Sequence, residues 1–280
     1  MRLLKTLKIT GVTTRVIQNS SQHPLKKLVL ATIVAGLLIF SGGCDLTDSN
    51  QPPKPRLSMF VGVDISGSFM KSGYFDDSID FLAHYLYAHL NGLGGLEKPR
   101  VLFVGSIGGA TANEPKTFYP IQTFEGKNVE EIAATLRKMF PKDAQNPFTD
   151  YNAFFEQVAM TVRNRNLLLR PISIVMLSDG IPDLKKQDET EFGSINLKPL
   201  ERLARSVTIR LLYTNPVVGK NWQTRVKRQR IKIWTQDARV MVSWKDPQIL
   251  QPDTPIEQQS KFFTWVKDNV DFGVRARRVD

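Results

Sequence analysis

The chain has 280 residues, 41% of them hydrophobic and 23% charged, an ordinary globular composition with enough apolar material for one sizeable core. Its formal net charge of +11 points at first sight to nucleic acid or an anionic membrane. A single cysteine, Cys44, excludes an intrachain disulfide framework and a cysteine-based zinc site.

The first 27 residues carry Arg2, Lys5, Lys8, Arg15, Lys26 and Lys27 and no acid. An apolar run of 13 residues follows, Leu28–Phe40, and then Ser41-Gly42-Gly43-Cys44. A basic region, a short apolar region and small residues form the layout of a secretory signal. Thirteen helical residues fall short of a bilayer core about 30 Å thick, so a mature transmembrane helix is the second reading. A buried cysteine closing a core helix is the third, and the lack of a polar face on the preceding run argues against it. The long basic region leaves open a start downstream of Met1. Removing the six basic residues lowers the charge from +11 to +5, so much of the basicity belongs to the signal.

Small residues before a cysteine resemble a bacterial lipobox. That resemblance implies that residues 1–43 are removed and that Cys44 takes a diacylglycerol and becomes the N-terminus. More than one acyl chain anchors stably, whereas one alone is marginal. The expected location is the bacterial cell envelope, lipid-anchored to a membrane and facing away from the cytoplasm. An aspartate at position 45 resembles an inner-membrane retention signal that does not hold in all bacteria, so the choice of membrane stays open. Nucleic acid is not an expected partner. Residues 44–56, which include DLTDSNQPPKPR, are polar and proline-rich and read as an extended tether to a folded domain at 57–280.

Within that domain, Leu57–Asp64 (LSMFVGVD) reads as a strand ending in a polar loop. Tyr74–Leu90 has helical periodicity, with Phe75, Ile79, Leu82, Leu86 and Leu90 on one stripe. Val101–Val104 is a short strand and Lys116–Thr123 a candidate edge strand. Val129–Phe140 and Asp150–Arg163 read as helices, the first with Ile132, Leu136 and Met139 on one face. Ile172–Leu177 (ISIVML) is continuously apolar, as a central parallel strand covered on both faces should be. Leu197–Ala204 reads as helix, Val207–Leu212 as strand, Arg239–Trp244 as the last strand and Pro255–Asn269 as the closing helix. Strands alternating with helices predict an α/β fold, a mostly parallel central sheet with helices on both faces. Ligands of such sheets bind outside the carboxyl ends of the strands.

Three polar clusters fall at such places. The first strand ends in Asp64-Ile65-Ser66-Gly67-Ser68, the central strand ends in Ser178-Asp179-Gly180, and Thr149-Asp150 opens a helix between them. Taken singly, each has a plain explanation. Asp64 and Ser66 suit a turn, Thr149 an N-cap, and Asp179-Gly180 a common turn pair. Asp150 suits the helix N-terminus.

Together, D-x-S-x-S, Thr and S-D-G in this order resemble the metal-ion-dependent adhesion site of von Willebrand factor A (VWA) domains, with the likeness running over about residues 57–270. The resemblance implies a three-layer Rossmann-like VWA fold. It implies a site for Mg2+ (or Mn2+ or Ca2+) built from Asp64, Ser66, Ser68, Thr149 and Asp179. Ser66 and Ser68 would bind through their hydroxyls, Thr149 directly or through water, and the two aspartates mostly through water. A hard cation wants oxygen ligands and usually retains some water. Neutral hydroxyls quench its charge poorly and leave it able to take a carboxylate from a protein partner. Gly67 and Gly180 are expected to permit close backbone approach.

Other features are weaker. Gly105-x-x-Gly108-Gly109 lacks the full dinucleotide fingerprint. His84 and His89, five apart on one helix, face apart, and the Tyr85–Tyr87 neighbourhood reads as packing. Arg225–Lys232, with five basic residues in eight, reads as a solvated helix face, with contact to anionic lipid as its alternative. Two further functions compete with non-enzymatic, metal-dependent protein binding. A metal-dependent phosphoester hydrolase of the haloacid dehalogenase type needs an acid where Ser66 stands, and it lacks an evident general base. A structural lipoprotein with a vestigial metal site is the other.

Overall fold

Each buried strand alternates its side chains between two faces, and the helices that follow supply an apolar cover for each. The computed structural model describes residues 54–109, 116–142, 148–182, 191–204 and 206–272. Cys44, the run Leu28–Phe40 and the tether up to residue 53 lie outside the described residues.

Strands β1 (Ser58–Val63), β2 (Val101–Ser106), β4 (Tyr119–Pro120), β6 (Ile172–Leu177), β7 (Val207–Thr214) and β8 (Ile231–Asp237) form a six-stranded sheet in the order β4-β2-β1-β6-β7-β8. Every pairing is parallel except β2 with β4. A separate antiparallel pair joins β3 (Gly108–Gly109) to β5 (Phe148–Thr149), with Gly108 opposite Thr149.

One face of the sheet, with Met59, Val61, Val63, Val175 and Leu177, is covered by α1 (Gly67–Lys71), α2 (Phe75–Asn91), α3 (Val129–Met139), α7 (Ala238–Met241) and α8 (Ser260–Asn269). The other face, with Phe60, Ile174 and Met176, is covered by α4 (Tyr151–Asn164), α5 (Lys198–Glu201) and α6 (Pro216–Arg225). The result is the expected three-layer α/β arrangement. Both cores lie within Leu57–Val270, and Lys54–Asp280 forms its own compact unit, so a chain beginning at residue 45 contains every residue of either core.

Local chemistry fixes the helix ends. Asn128 caps α3 in a reciprocal box with Glu131. Gly92, left-handed at φ 64°, ends α2. Gly62 in β1 is required by packing, since a Cβ there would lie 2.7 Å from Phe154 and 2.8 Å from Ile107.

The structure corrects the expected elements in the C-terminal third. Arg239–Trp244 is not a strand but helix α7 followed by a 3-10 turn at Val242–Lys245. Its buried Met241 and Trp244 stand three apart, a helical spacing, and Asp237 caps the turn by accepting from Arg239 N–H at 2.7 Å. The last strand is instead β8. Arg225–Lys232 is therefore not a helix face: α6 ends at Arg225, Val226 is buried, and Ile231 and Lys232 already belong to the strand. The run Lys116–Thr123 pairs only through Tyr119–Pro120, and helix within Leu197–Ala204 is confined to Lys198–Glu201.

Candidate metal centre

From β1 the chain moves to one side of the sheet to form β2, and the later strands are laid down on the other side, starting with β6. The crevice between the carboxyl ends of β1 and β6 is thus the topological switch point, where open α/β sheets bind ligands. The two strands run in register from Ser58 opposite Ile172 to Val63 opposite Leu177, so Asp64 and Ser178 emerge side by side. Asp64 N–H donates to Leu177 O at 2.9 Å and continues the ladder one residue past the strand.

Asp64 is fully buried. One carboxylate oxygen accepts the Ser66 backbone N–H at 2.8 Å, and the other accepts the Ser178 hydroxyl at 2.6 Å. Ser66 Oγ lies 3.2 Å from Ser68 Oγ. Ser68, which is exposed, lies near Asp179 and acts to lower its carboxyl. Asp179 accepts Ile181 N–H at 3.0 Å. Four of the five candidate ligands, Asp64, Ser66, Ser68 and Asp179, therefore lie together in one cluster.

Thr149 reaches the same edge through the backbone. It is buried and sits in β5, whose partner β3 extends β2 past its carboxyl end. Two residues on, the Tyr151 hydroxyl lies 2.7 Å from Ser178 Oγ, which ties the start of α4 to the end of β6. Thr149 is not the N-cap of that helix. Asp150 takes that place, accepting Ala153 N–H at 2.9 Å.

The cluster is electrostatically unbalanced. Burial raises the Asp64 carboxyl from 3.8 to about 6, against the opposing hydrogen bond from Ser178 and with the nearby Asp179 charge adding to the rise. Burial likewise raises Asp179. Among the described residues, no lysine, arginine or histidine forms an ion pair with either carboxylate. Nor do three His, Cys, Asp or Glu side chains gather anywhere as a metal set among those residues. The candidate set is two carboxylates and three hydroxyls, all hard oxygen donors, and such a set fits Mg2+, Mn2+ or Ca2+ rather than a thiophilic metal.

Sequence reasoning placed Ser178 in the S-D-G cluster without giving it a role, and it passed over Tyr151. Ser178 is buried and its hydroxyl joins three groups: it donates to Asp64, accepts Gly180 N–H at 2.9 Å, and meets the Tyr151 hydroxyl. Its place between an apolar strand and Asp-Gly was a usable signal. Tyr151 falls on the apolar stripe of α4 with Phe154, Phe155 and Val158, so periodicity marks it only as core. The expectation for Gly180 holds, since its φ is 79° and a Cβ would meet Leu211 and Val218 at 2.9 Å. For Gly67 it fails, because a Cβ there would meet open space. The two described histidines lie elsewhere. His84 contacts Asp80 O and the Trp244 ring, and His89 contacts Glu97 O and Asp271.

No family model matches the chain, and no curated protein matches it in sequence. Solved structures similar to it include proximal thread matrix protein 1 from the mussel byssus, at 12% identity and a TM-score of 0.41, covering 68% of this chain and 46% of that one. A further structure of the mussel protein has a zinc-occupied MIDAS motif. Another is the pilus adhesin SpaC from Lactobacillus rhamnosus GG, at 13% identity and a TM-score of 0.43, covering 71% of this chain and 30% of that one. A third is the SpRpn10 VWA domain, at 12% identity and a TM-score of 0.35, covering 69% of this chain and 96% of that one. The chain spans less than half the length of the first two.

Proposed function

We propose that this chain is a lipid-anchored, VWA-type protein of the bacterial cell envelope that binds one divalent cation and, through it, a protein partner offering an acidic side chain. The observation that carries the reading is the cluster at the switch point. Two carboxylates lie among hydroxyls there, and among the described residues no cationic side chain balances them. A hard divalent cation supplies the missing charge, and the donors available suit it.

Ser66, Ser68 and Thr149 would hold the ion through their hydroxyls, with Asp64 and Asp179 as outer partners. The bound cation supplies an electrophilic position for a partner's carboxylate. The protein's own residues supply the preorganisation. Asp64 fixes the Ser66 backbone, Ser178 fixes Asp64, and Tyr151 with Gly180 N–H fixes Ser178. Ser68 is exposed, which leaves the cluster open to a partner from solvent.

The test is thermal unfolding of residues 45–280 with and without Mg2+ or Mn2+, followed by capture of envelope proteins with and without chelator. Ion-dependent stabilisation that Asp64→Ala removes, with chelator-sensitive capture, supports the reading. Equal stabilisation of that variant overturns the site. The anchor is tested by acyl labelling of the full chain, and normal labelling of Cys44→Ser would overturn it.

A further inference from the structure

The edge of the sheet opposite the metal centre has a chemistry of its own. Arginines stand one or two residues before four of the five parallel strands: Arg56 ahead of β1, Arg100 ahead of β2, Arg170 ahead of β6 and Arg230 ahead of β8. Arg56, Arg100 and Arg230 are exposed, and Arg170 is half-buried. Backbone hydrogen bonds hold these starts in line, with Arg100 N–H donating to Leu57 O and Ser58 N–H to Pro171 O, both at 2.9 Å. With strands about 4.8 Å apart, the line from β2 to β8 is roughly 19 Å long.

Beside this line lies a short loop between α4 and β6, in the stretch Arg163-Asn164-Arg165-Asn166-Leu167-Leu168-Leu169-Arg170. Leu167 is buried and anchors it, its N–H donating to Val162 O at 2.9 Å. Leu169 N–H donates to Leu203 O at 2.9 Å. Between these fixed points, Leu168 is 47% and Leu169 76% exposed. Leu169 holds φ at 66° and Asn166 at 54°, a region a leucine occupies only at a cost in strain. A strained turn thus holds two leucines out in water, between the exposed Arg163 and Arg165 and the half-buried Arg170. Two acids on this side are engaged, Glu201 accepting Gln229 N–H at 2.7 Å and Asp271 pairing with His89 at 2.8 Å, while Glu97 is exposed and is outnumbered by the arginines.

We propose that this arginine-lined, leucine-tipped edge docks on an anionic bilayer surface, the one to which the chain is tethered, and turns the metal centre away from it. The proposal rests on the reading of Cys44 as a lipid attachment point. Two features select a bilayer over an acidic protein. The connection from Cys44 to β1 enters this same edge through Lys54-Pro55-Arg56, and residues 45–57 extend at most about 45 Å, so the edge stays within reach of the surface. The leucines are isolated tips rather than a flat patch. They suit insertion among lipid headgroups, with the surrounding arginines on phosphates. Arg230, from the basic stretch that sequence alone placed on a helix, belongs to this line.

The experiment is flotation of residues 45–280 with phosphatidylcholine vesicles containing phosphatidylglycerol, beside pure phosphatidylcholine vesicles and soluble heparin. The expected result is binding to the anionic vesicles that weakens with salt and is nearly absent on the neutral ones. Each arginine near such a surface is worth about five-fold in partitioning, so Arg163→Gln, Arg165→Gln and Arg170→Gln together should weaken binding roughly 100-fold. Leu168→Ser with Leu169→Asn should weaken it by about ten-fold or more. Asparagine tolerates the left-handed backbone, so this second variant should fold at least as stably as the parent. Asp64→Ala and chelator should leave vesicle binding unchanged. No binding to anionic vesicles, or equal binding by both variants, overturns the proposal. So does heparin binding as strong as vesicle binding and indifferent to the leucine changes. Acyl labelling at Cys44 with no vesicle binding removes the docking surface alone; vesicle binding with no acyl labelling removes the anchor alone.

Discussion

Asp64→Asn should stabilise the metal-free domain. The carboxylate is fully buried, and burial raises it from 3.8 to about 6. Above that value the folded state holds an ionised group that the unfolded state solvates more easily. The difference of roughly two pKa units corresponds to about 3 kcal/mol. Asparagine removes the charge and keeps an oxygen for the Ser66 N–H. Its amide would donate to Ser178 Oγ, which can turn its own proton toward Tyr151. The sign follows from linkage. A carboxyl raised on folding contributes favourably below its unfolded value, and that contribution is lost as pH rises through about 6. In chelator near neutral pH the variant should therefore unfold later, by roughly 6–12 °C for about 3 kcal/mol in a domain of this size. Near pH 4 the advantage should shrink toward zero. Urea unfolding across this range, read by circular dichroism, measures it. A variant less stable than the parent at neutral pH, or a difference that ignores pH, would refute the electrostatic account.

Ser178→Ala leaves the Tyr151 hydroxyl, Gly180 N–H and an Asp64 oxygen short of a partner, and should cost about 1–3 kcal/mol in the same unfolding assay. Gly180→Ala combines a φ of 79° with contacts at 2.9 Å, and should destabilise by about 2 kcal/mol or more and weaken ion binding. Asp271→Asn probes the opposite edge, where Asp271 accepts from Tyr85 at 2.8 Å and pairs with His89. Burial acts to raise this carboxyl, but His89 and Arg210 outweigh it and hold the group below its ordinary value. Its stabilisation is therefore complete above the unfolded carboxyl value and lost as pH falls through the folded one. The loss on substitution should be roughly 3 kcal/mol at neutral pH and fade in acid, as urea titrations at several pH values would show.

The parts of the fold legible in sequence were those whose pattern admits one period. Ile172–Leu177 is apolar throughout because both its faces are covered, and Phe75–Asn91 carries a full helical stripe ended by Gly92. Strand β8 escaped because its buried Ile231 and Ile233 follow a run of arginines and lysines that reads as solvent-facing helix, and only pairing with β7 decides the matter. Arg239–Trp244 looked like a strand because Val240, Met241 and Val242 are β-favouring neighbours, yet the Asp237 cap and the burial of Met241 and Trp244 suit a helix. At the candidate site, residue types and order were readable, since strand ends are visible in the pattern. The roles of Ser178 and Tyr151 were not, because they depend on a contact across 27 residues.

The central claim is that the switch-point cluster holds a cation through its hydroxyls. Calorimetric titration of residues 45–280 with Mg2+ and with Mn2+, beside a Ser66→Ala, Ser68→Ala double variant, tests it most directly. The account predicts saturable binding at one site in the parent and none in the variant. Binding of equal strength in the variant, or no binding by the parent to either ion, would contradict it.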